Sequence, residues 1–348
     1  IRAIHELFWA LIFIQVFGLS PLTGLLAIAL PYAGSLAKVY GELFEEMPPQ
    51  SRANLLNRKS LSTFFYTTMP LAWPALSHYT RYRFECALRS TVVLGFVGLP
   101  TLGFYLETAL SEGLYREAAA LLYVLLLLIV SQRWWFRKAL LPVYLFVALV
   151  CLPPSASFNW QTMIQFFTED IIPQPLRTAS GDGIGPWLVF LWPGLCNTLV
   201  LSQVALFFTA LLALLAFPLS SPLFVVSLVR GSSNGLLVIA RTLPEYLLAF
   251  VALLLWGTSM LPAIVALALH NGAIITHLIA GFSGQVCLRD DACKGVNRYA
   301  YEVLPRMYRQ FLAILFYRWE VILRESAILG ILGIATLGFY IDSAFEEF

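Results

Sequence analysis

Residues 82–107, YRFECALRSTVVLGFVGLPTLGFYLE, decide the reading of the fold, because they return at 317–342 as YRWEVILRESAILGILGIATLGFYID. Of the 26 aligned positions 13 are identical without a gap, among them Tyr82/Tyr317, Arg83/Arg318, Glu85/Glu320, Arg89/Arg324, Gly95/Gly330, Gly98/Gly333 and Gly103/Gly338. Two unrelated apolar helices do not share that much, so the chain is a duplication.

Each copy is mostly apolar in its later part but carries a glutamate and an arginine four residues apart near its start. Glutamate N-terminal to arginine is the favoured order on a helix. A charge at membrane depth costs at least ~2.5 kcal/mol unless it is paired or wetted. Glu85/Arg89 and Glu320/Arg324 therefore read either as self-neutralising pairs near the headgroups or as groups on a translocation pathway. The glycines Gly95, Gly98 and Gly103 strip side chains from one face, which permits close helix contact or a break in the helix. Either suits a pore-lining element.

The composition places the copies in a bilayer. The 348 residues are 59% hydrophobic and 12% charged, with a mean hydropathy of +0.78, whereas about a quarter of residues are charged in soluble domains. This is an all-α polytopic membrane protein. Its five cysteines, Cys86, Cys151, Cys196, Cys287 and Cys293, imply no disulfide framework. Cys287 and Cys293 lack CxxC spacing and a second ligand pair, so no metal is expected. No GxxxxGK[ST] phosphate loop is present, nor a nucleophile, base and orienter set. The expectation is a protein that is not an enzyme and holds no cofactor of its own.

A spanning helix needs about 20 apolar residues, somewhat fewer with snorkelling flanks. Nine segments qualify: 4–17, 22–40, 83–106, 118–130, 140–152, 195–217, 236–256, 261–279 and 311–341. Gly18-Leu19-Ser20-Pro21 and Gly257-Thr258-Ser259-Met260 read as tight turns at equivalent places. The duplication extends upstream through Arg2/Arg241, Glu6/Glu245, Gly18/Gly257, Ala29/Ala268 and Lys38/His277. The repeats are placed at 1–138 and 139–348. The chain opens on Ile1, so helices are expected to be missing before the first repeat and after the second.

Charge sets the topology. With the loop 41–83 in the cytoplasm, alternation puts 131–138, 220–241 and 282–309 there too. These segments collect Arg52, Arg58, Lys59, Arg81, Arg83, Arg133, Arg137, Lys138, Arg230, Arg241, Arg289, Lys294, Arg298, Arg306 and Arg309. The other side holds Arg116 and Arg177 among an acidic majority, the positive-inside pattern. The external segment 153–193 is expected to carry a short interfacial helix near 160–167.

Polar residues inside the spans are few. His5 and His78 read as interfacial. His270 and His277, two turns apart, read as one polar face with Asn271 and Thr276, more in keeping with packing than with binding. The counterpart in the first copy contains Lys38, and donors on two related helices would suit an anion. The cytoplasmic loops, ending in Met69-Pro70 and Leu304-Pro305, recur ahead of both motif helices. Their duplication argues for docking surfaces rather than plain connections.

GLLAIALPYAGSLAKVYGELFEE, a polar loop closing in Met69-Pro70, and then RYRFECALRSTVVLGFVG resemble the permease subunit of binding-protein-dependent ABC importers, specifically the phosphonate transporter permease family. That family's motif helix usually reads YRWE, an arginine, then VLGLVGAGGIG, which YRWEVILRESAILGILG in the second copy follows more closely. The resemblance covers most of the chain. Two departures stand out: the family's loop glycine falls on Asn57 in the first copy while Gly295 lies nearer Pro305 in the second, and the glycine runs are GLPTLG and GIATLG.

The resemblance implies two tandem permease repeats of the type I ABC importer kind, fused in one polypeptide of a bacterial inner membrane. It implies two ATPase subunits, holding ATP and Mg, docked on the cytoplasmic loops through Glu45, Arg52, Asn57, Arg58, Lys59, Pro70, Asp291, Gly295, Arg298 and Pro305. It further implies an external binding protein that delivers a phosphonate, phosphite or similar oxyanion, and no nucleic-acid partner. The translocation pathway is expected along Glu85, Arg89, Gly98, Gly103, Glu320, Arg324, Gly333 and Gly338, with Lys38 and His277. Two rival readings stay open: a secondary transporter with Glu85/Glu320 or His270/His277 carrying coupling protons, and a membrane scaffold that moves nothing.

Overall fold

A computed structural model describes residues 4–45, 61–136, 140–151, 160–165, 168–169, 184–284, 288–289, 295–330 and 332–346. The described residues contain helices and no strand. They form two compact units, Ile1–Ile171 and Ile172–Phe348, and each repeats the other's local plan.

The first unit opens on a half-length helix, α1 (Glu6–Phe17), whose N-cap His5 accepts from the Leu7 amide through Nδ1 at 3.1 Å. Glu6 in its first turn suits the positive end of the helix dipole. Twelve residues rise only about 18 Å, short of the roughly 30 Å hydrocarbon core. Gly18 ends the helix at φ 65° and ψ −172°, a conformation that favours glycine. Ser20 and Thr23 then start α2 (Pro21–Glu45): the Thr23 amide donates to Ser20 Oγ, and Thr23 Oγ1 donates to Gly18 O at 2.7 Å. The small side chains of Ala10 and Ala27 let α1 and α2 close on Leu94 and Leu99. In lipid such packing, rather than exclusion of water, holds helices together.

After a short π-helical stretch (Phe64–Thr68) comes α3 (Met69–Val93), with Pro70 in its first turn, where a missing N–H costs no hydrogen bond. It does not continue as one span through residue 106. A 3₁₀ turn (Leu94–Val97) leads to Gly98 at φ 84°, and α4 (Leu102–Ser111) runs back against α3. A Cβ on Gly95 would stand 2.7 Å from Gly103 Cα, and one on Gly103 would stand 2.6 Å from Val92 C. The glycines thus make a hairpin, with both the break and the close contact that they allow, and 83–106 is not one helix. Then follow α5 (Tyr115–Trp135), packed on α4, α6 (Leu141–Cys151) and the short α7 (Trp160–Gln165) in the external segment.

The second unit starts with α8 (Ile184–Ser220), a helix of 37 residues. The span expected over 236–256 is instead two helices, α9 (Ser227–Thr242) and α10 (Glu245–Trp256), bent by 91° at Leu243-Pro244. Proline has no N–H to donate and drives the residue before it out of the helical region, and Leu243 duly stands at ψ 126°. α10 has the length of α1 and ends like it, at Gly257 with φ 76° and ψ 179°.

α11 (Met260–Ser283) is the axis of this unit. Buried positions make up 67% of its apolar window, against 22–28% in the other three long apolar helices, so it is the one enclosed by protein. A second π-helical stretch (Arg298–Val303) precedes α12 (Leu304–Glu325), which again has proline, Pro305, in its first turn. A 3₁₀ turn (Ile328–Gly330) and Gly333 at φ 79° reverse the chain into α13 (Leu337–Glu346). The span expected over 311–341 is therefore a hairpin as well. It is fixed to α8 by Asn197 Nδ2 donating to Ala335 O at 2.8 Å and the Leu337 amide donating to Thr198 Oγ1 at 2.9 Å.

Among the described residues four helices are long and apolar enough to cross a membrane, or five with α9 and α10 counted as one. Of the nine expected spans, two are hairpins, one is a bent pair, and 4–17 and 140–152 correspond among the described residues to helices of 12 and 11 residues. The multi-pass all-α architecture stands.

Candidate functional site

In each unit three elements meet at one polar point beside the glycine hairpin: the start of the half-length helix, the middle of the long helix that follows it, and the last turns of the helix entering the hairpin. In the first unit these contribute Glu6, Tyr32 and Ser90. Ser90 Oγ donates to Glu6 Oε1 at 2.5 Å and lies 3.0 Å from the Tyr32 hydroxyl. With the serine proton on the carboxylate, the tyrosine is the donor of the second bond. His5 Nε2 lies 3.5 Å from Glu6 Oε2, and the Arg83 guanidinium sits over the Tyr32 ring at 4.6 Å.

The aligned positions in the second unit are Glu245, Asn271 and Glu325. Asn271 Nδ2 donates to Glu325 Oε2 at 3.1 Å and to Leu267 O at 3.0 Å. His270, which stands where the first copy has Pro31, places Nδ1 2.9 Å from Leu243 O, a carbonyl left without a helical partner by the break at Pro244. Its Nε2 faces Glu245 Oε2 at 3.7 Å. His270, Asn271 and Glu325 are buried, and Glu245 is partly so. Sequence reasoning had aligned Glu6 with Glu245 without reading a site there. Glu325 and Ser90 carried no signal, because their partners lie 54 and 84 residues away.

The expected pathway residues divide. Gly98 and Gly333 form the hairpin turns, and Gly103 and Gly338 their close contacts. Glu85 accepts from Gln132 Nε2 at 2.8 Å, and Arg89 Nη2 lies 3.2 Å from Cys86 Sγ. Glu320 is exposed and Arg324 half-buried. Lys38 is exposed and lies 3.5 Å from Glu42. His277 is exposed while His270, Asn271 and Thr276 are buried, so the single polar face expected of α11 is split. Seven residues rotate a helix by only about 20° from register. The difference therefore comes from what packs beside α11 at each depth.

Of the expected docking residues, Glu45 ends α2, and Pro70 and Pro305 stand exposed in the first turns of α3 and α12. Gly295 has φ 70°, and Arg298 Nη1 reaches Leu223 O at 3.4 Å. Beside them Arg306 Nη2 pairs with Glu302 at 2.6 Å, with Arg289 3.7 Å away. Arg52, Asn57, Arg58, Lys59 and Asp291, like Cys287 and Cys293, lie outside the described residues.

No family model matches the chain, and no solved structure matches it. Curated relatives do. The phosphate-import permease protein PhnE of Mycolicibacterium smegmatis is 24% identical over 97% of this chain and 69% of its own length. The phosphite transport system permease protein PtxC of Stutzerimonas stutzeri is 29% identical over 35% of this chain, which spans 45% of that relative. The putative cryptic phosphonate transport system permease protein PhnE2 of Escherichia coli is 32% identical over 28% of this chain and 82% of its own length. The repeated half-helices and glycine hairpins thus belong to a chain that is a member of the phosphonate and phosphite ABC transport permease family.

Proposed function

We propose that this chain is the membrane-spanning permease of an ATP-driven importer in a bacterial inner membrane, carrying a phosphonate, phosphite or related oxyanion. The observation that carries the reading is the duplicated junction ahead of each hairpin. In both copies a π-helical stretch precedes the motif helix, which has an exposed proline, Pro70 or Pro305, in its first turn. Two like junctions suit two like partners. Each would receive one ATPase subunit holding ATP and Mg, on the loops 48–70 and 283–305. The helix it seats on, α3 or α12, leads without interruption to a glycine hairpin, so a push at the loop has a rigid element along which to travel.

The oxyanion, released by an external binding protein, would pass along the hairpins, with Glu85, Arg89, Glu320, Arg324, Lys38 and His277 on its route. Each arginine is accompanied by a glutamate, so attraction for an anion is weak and the cargo is not held. The test is ATP hydrolysis by the chain co-purified with its ATPase in lipid, with and without binding protein loaded with phosphonate or phosphite. Stimulation by the loaded protein alone is expected. Uptake by the chain alone, collapsing with the proton gradient, would replace this reading with proton-coupled transport.

A further inference from the structure

The polar points of the two units are built at aligned positions but differ in charge. Glu6, Pro31 and Ser90 in the first are answered by Glu245, His270 and Glu325 in the second. The first set is complete without an ion, because its one carboxylate takes a hydroxyl from Ser90, which takes one from Tyr32. The second brings two carboxylates and an imidazole together, with one ligand atom from each lying within 4.8 Å of the other two. Two carboxylates brought this close repel one another unless positive charge lies between them.

We propose that Glu245, His270 and Glu325 bind one divalent transition-metal ion, zinc being the probe of choice. Three features of the site point to a ligand rather than to a plain ion pair. Nδ1 of His270 is engaged with Leu243 O, which can only accept, so Nδ1 carries a proton and Nε2 is the nitrogen turned towards Glu245. A backbone carbonyl on the far nitrogen is the usual way a metal-binding imidazole is oriented. The 3.7 Å between Nε2 and Glu245 Oε2 is too long for a hydrogen bond, yet close to the about 3.3 Å that separates two ligands on a tetrahedral zinc. Finally Asn271, fully buried, orients Glu325 through Nδ2 while its Oδ1 has no hydrogen-bond partner among the described residues.

Mixed imidazole and carboxylate donors suit zinc, manganese or ferrous ions, and a single imidazole disfavours calcium and magnesium. A divalent ion would balance the charges of the two carboxylates. It would tie together three places that depart from a continuous helix: the start of α10 after the Pro244 break, the middle of α11, and the end of α12 ahead of the hairpin. The inference is independent of what the chain carries or what drives it.

The test uses the full chain in lipid nanodiscs, washed with chelator, loaded with Zn²⁺ and desalted, with bound metal counted by mass spectrometry. One equivalent of zinc and a raised melting temperature are expected for the unaltered chain, with no response to Mg²⁺. Glu325→Gln and His270→Gln, which keep shape while removing charge or ligand, should each lower zinc affinity at least tenfold. Glu112→Gln, at an exposed position of the other unit, should leave the zinc count at one. Co²⁺ in place of zinc should give the visible d–d absorption of a tetrahedral site, lost in both variants. Absence of stoichiometric zinc from monodisperse, folded protein overturns the proposal. Equal zinc uptake by the Glu325→Gln/His270→Gln double variant overturns it too.

Discussion

Gly95 lies directly against Gly103, with room for no side chain between them: a Cβ on Gly95 would stand 2.7 Å from Gly103 Cα and clash with the Phe104 amide nitrogen. Gly330 and Gly338 stand in the same relation, at 2.9 Å. The obstructing atoms are backbone, which cannot swing aside as a flexible side chain would. Gly95→Ala or Gly338→Ala should therefore destabilise the protein by ~2 kcal/mol or more. Gly41→Ala and Gly235→Ala, where nothing lies within 4 Å, should have little effect. Melting temperatures in one detergent, followed by size-exclusion fluorescence, separate the two classes. Equal losses in both would mean that the hairpin is not closed.

The hairpin turns make a different demand. Gly98 at φ 84° and Gly333 at φ 79° occupy the left-handed region, although Gly333 faces open space. A substitution at Gly333 meets backbone strain without steric crowding, which costs roughly 1–2 kcal/mol for an ordinary L residue. Gly333→Asn should be tolerated better than Gly333→Val, since asparagine enters this region more readily and a β-branched residue least. Reversal of that order in thermal unfolding would show that the turn is not left-handed.

The duplication, the glycine-ended turns at Gly18 and Gly257 and the prolines opening α3 and α12 were all legible in the sequence, because each is a local signal repeated at fixed spacing. The hairpins were only half legible. Gly95, Gly98 and Gly103 serve equally for close packing between helices and for folding a helix on itself, and apolar composition does not distinguish the two. The break at Leu243-Pro244 was written in its proline but was overridden by the run of apolar residues around it. The polar points were hidden for another reason: Glu6 and Ser90, or Asn271 and Glu325, are joined only by the tertiary fold, and each alone looks like an isolated polar residue.

Glu6 and Ser90 should be energetically coupled. The serine hydroxyl satisfies a largely buried carboxylate, so Ser90→Ala removes a donor from a charged acceptor and should cost about 1.5–3 kcal/mol. Glu6→Gln removes much of the need for that donor, so adding Ser90→Ala to it should cost clearly less than Ser90→Ala alone. A double-mutant cycle on melting free energies measures the difference. Strict additivity would mean that the two side chains do not share a bond.

The docking role of the first loop can be tried without touching the membrane helices. Arg58 and Lys59 precede the π-helical stretch at Phe64–Thr68 by a few residues, and α3 starts immediately after it. Arg58→Glu with Lys59→Glu reverses two charges on the side of the membrane that the positive-inside pattern assigns to the cytoplasm. If an ATPase seats there, complementary charge across the contact is lost and like charges are brought together, which costs association most at low salt. The expected result is weaker capture of the ATPase by the tagged permease, with the melting temperature of the permease unchanged. Arg289→Glu offers the matching test in the second loop, where the arginine is exposed and lies 3.7 Å from Glu302. Its effect should be smaller, because Glu302 keeps the closer Arg306 at 2.6 Å. Unchanged capture by both variants would remove the loops from the contact and with them the main support for paired ATPase docking.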